Sequence, residues 1–219
     1  MNLKEKVSRI LMELDRAYPQ SHTALHFKNP LEILIATILS AQCTDKQVNE
    51  VTKGFFKKYK TAKDYVETAL SALEEDIRPT GFFRNKAKNI QQCCRELIKK
   101  FQGKVPQTLE ELVALPGIGR KTANVVLGNA FSIPGIVVDT HVGRISQRLG
   151  LTKEKDPVKI EFALMPLIPK EKWILFSHQV IDHGRGLCTA RAPKCPSCFL
   201  LPFCDFGNQE DRGRGGSKK

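Results

Sequence analysis

The sequence predicts a chain built almost wholly of helices, and three observations carry that prediction. Apolar residues recur at i, i+3 and i+4 through most of the chain. Helix-start signatures stand ahead of those runs. The only β-like run, Ile136-Val137-Val138, is too short and isolated to establish a sheet. At 219 residues with 41% hydrophobic content, the chain reads as a soluble globular protein with enough apolar material for one or two compact domains. No internal repeat points to a solenoid.

Taken in order, Leu3, Val7, Ile10, Leu11 and Leu14 mark a first amphipathic helix that ends before Tyr18-Pro19. His22 and His26 follow in a loop, where histidines are commonly bystanders. Asn29-Pro30-Leu31-Glu32 combines an N-cap, a proline at the first helical position and a glutamate at N3. It opens a buried central helix carrying Leu31, Leu34, Ile35, Ile38 and Leu39. Thr44 with Gln47 opens the next helix, with Val48, Val51, Phe55 and Phe56, and the tight connection Ala41-Gln42-Cys43 presents Gln42 at the surface. Thr61 to Ile77 reads as one or two short helices, broken at Arg78-Pro79-Thr80-Gly81. Ala87, Ile90, Cys94, Leu97, Ile98 and Phe101 mark a long helix stopped by Gly103, whose other face holds Arg84, Lys86, Lys88, Arg95, Lys99 and Lys100. Thr108 with Glu111 forms a capping box before Leu109, Leu112, Val113 and Leu115. Asp139-Thr140 starts a helix closed by Gly150, and Asp156-Pro157 starts another that Pro166 shortens. Lys172 to His183 forms the last helix, and the pattern fails from Gly184. The tail from 211 to 219, rich in Gly, Lys and Arg, reads as flexible and disordered.

Charge narrows the partners. The formal net charge is +12, with 35 Lys and Arg against 23 Asp and Glu, which points to a polyanion. Anionic membrane is the competing partner, but no run of about eighteen apolar residues is present and Met1 begins an amphipathic helix in place of a signal peptide. The expectation is a protein without membrane association or targeting segment, free in the cytoplasm.

Residues 115 to 139, LPGIGRKTANVVLGNAFSIPGIVVD, carry the strongest functional signal. The two glycines of Pro116-Gly117-Ile118-Gly119 make a tight turn between helices, and Lys121 opens the second helix. Such a hairpin turns backbone N–H groups outward next to a helix N-terminus, which suits a phosphate. Lys121 then reads either as a phosphate clamp or as a group that does chemistry, and Asp139 either as a helix cap or as a working carboxylate.

Seven cysteines divide into two kinds. Cys43, Cys93 and Cys94 lie in helical patterns, and the adjacent pair Cys93-Cys94 reads as small buried hydrophobes. Cys188, Cys195, Cys198 and Cys204 follow C-x6-C-x2-C-x5-C in one short run stiffened by prolines. Four thiolates in one loop enclose a metal centre; zinc and a [4Fe-4S] cluster both satisfy the spacing. With all four bound no position stays open for substrate, so the centre is structural. Arg185, Arg191 and Lys194 flank the loop and can hold phosphates.

Five segments in this order resemble the endonuclease III family of helix-hairpin-helix DNA glycosylases. They are SAQCTD at 40 to 45, GFFRNKA at 81 to 87, LPGIGRKTA at 115 to 123, VDTHV at 138 to 142 and the cysteine run. The resemblance covers nearly the whole chain. It implies an all-α fold of two lobes with the DNA cleft between them: a six-helix barrel with the hairpin at 23 to 132, and a lobe of 1 to 22 with 133 to 210 that carries a [4Fe-4S] cluster. It implies a monomeric bifunctional enzyme of prokaryotic type, associated with the nucleoid. Such an enzyme acts on double-stranded DNA containing oxidised pyrimidines or abasic sites, and its ligands here are Cys188, Cys195, Cys198 and Cys204.

Carried over by position, Lys121 is the nucleophile and Asp139 the catalytic carboxylate. Their chemistry is coherent unaided: a carboxylate stabilises positive charge building on the sugar, and an amine attacks C1′ to give a Schiff base that permits β-elimination of the 3′ phosphate. Gln42 and Phe82 occupy wedge positions that fill the gap left by an extruded nucleotide. Relatives commonly have leucine at the second, so Phe82 is a departure. Gly117, Ile118, Gly119, Arg120, Arg191 and Lys194 are assigned to the DNA backbone, and Asp45 and His141 to the pocket. Two rivals stand beside this reading. Adenine-excising mismatch glycosylases usually lack the lysine and carry a further C-terminal domain; the presence of Lys121 and a chain end near Lys219 argue against that expectation. A non-catalytic helix-hairpin-helix module would bind DNA by its backbone alone.

Overall fold

A computed structural model describes residues 1–208, and among these residues the chain is helical with no strand. The basic tail predicted at 211 to 219 lies outside the described residues, as do 209 and 210. No helix among the described residues is long and apolar enough to cross a membrane. The chain divides into two compact units: Thr23–Ile133 is one, and Met1–His22 joins the described chain from Pro134 to form the other.

The continuous unit is built around α2 (Pro30–Leu39), where Asn29 accepts the Glu32 N–H at 3.0 Å and every residue from Ile33 to Leu39 is buried. A helix buried on all sides needs neighbours on all sides. These are α3 (Asp45–Lys58), capped by Thr44, α6 (Phe83–Phe101) and α8 (Arg120–Phe131). The short α4 (Ala62–Glu67) and α5 (Leu70–Asp76) pack on α6, and α7 (Leu109–Val113) packs on α8. Thr61 to Ile77 is therefore two helices, and the predicted break is a 3₁₀ turn, Arg78–Thr80. Cys93 and Cys94 are fully buried, and burial pushes the Cys93 thiol up to about 12, which suppresses the reactive thiolate.

The discontinuous unit gathers α1 (Leu3–Ala17), α9 (Thr140–Arg148), α10 (Pro157–Leu164) and α11 (Trp173–Gly186). Val7, Ile10, Leu11 and Leu14 of α1 enter one core with Val142, Ile145, Phe176 and Val180. The run Ile136-Val137-Val138 forms no strand; it is buried, and the Val137 N–H donates to Ser177 Oγ at 3.0 Å.

Three local readings are corrected. Lys86 does not belong to the solvated basic face of α6: it is buried, whereas Arg84, Lys88, Arg95, Lys99 and Lys100 are exposed. The end of α6 is made by Gln102 in the left-handed region at φ 54°, and Gly103 follows it at φ 79°. Helix α11 runs through Gly184 to Gly186, because a side chain at 184 would collide with α9: its Cβ would lie 2.5 Å from His141 Nδ1. A glycine read as a helix end is here a point of close helix approach.

Candidate active site

The hairpin is anchored from behind. Leu115 and Ile118 are buried in the core of their unit, and the Ile118 N–H donates to the Leu115 carbonyl at 3.2 Å. Ile118 therefore holds the turn, and its N–H is committed inside the protein. Gly117 sits at φ +77°, where a Cβ would also press on the Asn89 side chain at 3.0 Å, so this position demands glycine. Gly119 is the N-cap of α8 at φ −91°; it supplies no side chain to the first-turn N–H groups of that helix, whereas Asn29, Thr44 and Thr108 cap theirs. Those N–H groups have no intrahelical acceptor and combine with the positive end of the helix dipole. Lys121 stands exposed in this first turn, beside the half-buried Arg120.

Gln42 and Phe82 share an unusual backbone state. Both are non-glycine residues in the left-handed region, at φ 52° and φ 47°, and Phe82 is 62% exposed. They line one pocket of the continuous unit together with Asn85, Asn89, Gly117 and Thr122. The expected wedge residues and the hairpin glycine are thus brought together. Left-handed φ at two exposed, unbranched side chains is the kind of local strain found where a side chain must be aimed. Asp45, the first residue of α3, is half-buried.

Asp139 belongs to the other unit and is half-buried at the N-terminus of α9. Its Oδ1 accepts the N–H groups of His141 and Val142, each at 2.8 Å, while Oδ2 takes no part in the cap. The cap reading of Asp139 is therefore correct as geometry, and it leaves one carboxylate oxygen for other work. His141 Nδ1 lies 3.2 Å from Arg144 Nη2, and burial holds the imidazole below its usual range despite the opposing pull of Asp139.

The four C-terminal cysteines carry no disulfide and line one cavity, with Arg148 and His183 beside them. Successive tight turns place them: the Cys188 N–H donates to the His183 carbonyl, Cys198 to Cys195 and Cys204 to Leu201. Among the described residues, no three His, Cys, Asp or Glu side chains converge as the shell of one ion. The four cysteines share that one cavity, as a single centre bound by all four requires. Burial raises the thiols of Cys198 and Cys204, so holding them as thiolates requires compensating positive charge, which a metal centre supplies. Sequence reasoning missed two clamps on this loop. Arg148 Nη1 donates to Cys188 Sγ at 3.2 Å and to the Thr189 carbonyl at 2.8 Å, and Arg144 Nη2 donates to the Cys188 carbonyl at 2.8 Å. The available signal was an Arg pair at i, i+4 on α9, about 40 residues ahead of Cys188. Arg191 and Lys194 are exposed on the loop.

Fold, hairpin and cysteine loop together define a helix-hairpin-helix base excision repair protein. Residues 35–170 match the model of the HhH-GPD superfamily base excision DNA repair proteins. The chain is 52% identical to endonuclease III of Synechocystis sp. over 92% of both chains, and 46% identical to endonuclease III of Bacillus subtilis over 97% of both. It superposes on a non-covalent endonuclease III–DNA complex with a TM-score of 0.91 at 48% identity, covering 97% of this chain and all of the other. A trapped endonuclease III–DNA covalent intermediate gives 0.92 at the same identity and coverage. The chain belongs to the endonuclease III family, and is a DNA glycosylase with AP lyase activity.

Proposed function

We propose that the chain excises oxidised pyrimidines from duplex DNA and then nicks the strand at the abasic site, with Lys121 as nucleophile and Asp139 as the stabilising carboxylate. The observation that carries this reading is Lys121 itself: an exposed amine in the first turn of a helix whose N-terminus no side chain caps, directly behind a glycine turn. A phosphate held on the turn and helix N-terminus places the neighbouring sugar toward the amine. As the N-glycosidic bond breaks, positive charge grows on the sugar, and an ionised Asp139 offers Oδ2 to stabilise it. The lysine Nζ, deprotonated, bonds to C1′; loss of the base and ring opening leave an imine. Removal of a C2′ proton then expels the 3′ phosphate, and water releases the lysine. Gln42 and Phe82 fill the duplex where the nucleotide has left, and Arg120, Arg191 and Lys194 hold backbone phosphates. DNA as partner is supported by the two DNA complexes that the chain resembles. Asp45 and His141 border the lesion pocket in this reading.

Cys188, Cys195, Cys198 and Cys204 hold a [4Fe-4S] cluster, which when bound closes the loop through four iron–thiolate bonds. Arg148 and Arg144 fix the loop around it. The protein works as a cytoplasmic monomer on the nucleoid.

Borohydride trapping on duplex DNA containing thymine glycol tests the assignment. A covalent protein–DNA adduct is expected with the native chain and none with Lys121→Gln. An adduct that survives this substitution removes Lys121 from the role, and no adduct with either protein favours a module that only binds.

A further inference from the structure

Lys86 also lines the pocket of Gln42 and Phe82, and the chemistry above does not use it. Its side chain is 4% exposed, and its ammonium donates to two backbone carbonyls, Leu39 and Thr80, each at 2.8 Å. Leu39 is the last residue of α2, three before Gln42; Thr80 ends the 3₁₀ turn, two before Phe82. A single buried cation thus grips the backbone just upstream of both wedge residues. Each of those residues is held at a left-handed φ that an L side chain rarely adopts, and such a conformation persists only where the surroundings enforce it. Hydrogen bonds from an ion in a water-poor site are stronger than neutral ones and do the enforcing.

We propose that Lys86 is a positioning residue that locks the Gln42 and Phe82 loops together, so that both side chains enter the opened duplex as one wedge. This rests on the base-excision reading above. A merely structural lysine would affect stability and every substrate alike. A wedge lock matters only where a stacked partner strand must be held open. Substituting methionine keeps the apolar stem and removes all three donors; arginine keeps donors at similar reach.

The test compares full-length native protein, Lys86→Met and Lys86→Arg on two substrates. One is a thymine glycol duplex with 2-aminopurine opposite the lesion, and the other is a single strand with an abasic site. For Lys86→Met, the ratio of duplex to single-strand cleavage falls about tenfold and the fluorescence rise of 2-aminopurine on binding is lost, with both recovered in Lys86→Arg. A folded Lys86→Met with an unchanged ratio, or with equal losses on both substrates, overturns the proposal. If Lys86→Met does not fold, a cycle of Gln42→Ala and Phe82→Ala decides: locked loops lose duplex opening non-additively, and independent losses refute the lock. If neither single substitution changes duplex opening, the wedge assignment itself fails, and the two failures are told apart.

Discussion

Asp139 carries two duties on one side chain, and they are separable. Oδ1 satisfies two first-turn N–H groups of α9, a service that needs an oxygen but no charge. Stabilising a cationic sugar needs the charge. Asp139→Asn keeps the cap and removes the charge, so base excision in single-turnover assays should fall by at least about a hundredfold while melting temperature and DNA affinity stay near native. Asp139→Ala should add a stability loss of about 1 kcal/mol for the missing cap. Retained turnover in Asp139→Asn would confine the residue to capping. At this scale Asp139, Lys121 and Gly117 stand out as candidates in the sequence because each sits in a short local pattern. Lys86 escaped notice because a lysine on a helix reads as solvated; its two acceptors lie 47 and 6 residues away, and only folding brings them together. Ile118, which the resemblance assigns to the DNA backbone, has its apolar side chain in the core.

Helix starts were legible and helix ends less so, for a physical reason. An N-cap is a contact between residues three apart, so Asn29, Thr44, Thr61, Thr108 and Asp156 announce their helices in the sequence. An end depends on what the next element permits. Gly184 lies inside α11 because α9 approaches there, and nothing near it in the chain signals His141. Gly184→Ala therefore sets two effects against each other. Alanine in a helix interior gains about 1 kcal/mol of propensity, but its Cβ would stand 3.0 Å from His141 Cβ as well as 2.5 Å from Nδ1. An atom that close to a Cβ cannot be relieved by rotating a ring, so α9 and α11 must separate. The variant should melt lower than native despite its helical gain, and His141→Ala in the same chain should recover part of the loss. A higher melting temperature for Gly184→Ala would show that the helices part freely.

Across the whole molecule, the two units differ in how they are held. Thr23–Ile133 is continuous and builds its own apolar core around α2. The other unit is assembled from both ends of the chain: α1 packs on α11 and on the 3₁₀ turn Leu201–Phe203 that precedes Cys204, and Lys6 pairs with Asp205 at 2.6 Å. Its C-terminal part is mostly turns, with little regular hydrogen bonding to sustain it, so the proposed cluster, bound by the four cysteines, would close a segment that packing alone holds weakly. If the four cysteines hold the proposed cluster, the protein is expected to be brown, and chelator with oxidant should bleach it. The same treatment should also speed hydrogen exchange through residues 187 to 207 and, through the Leu201–Phe203 contact, in α1. Amides of α2, α6 and α8 should keep their native rates, since no cysteine ligand belongs to their unit. The distant response of α1 is the informative part. If exchange rises only within the cysteine loop, the N-terminal helix is secured by α11 alone; if it rises across both units, the cluster sustains the entire fold.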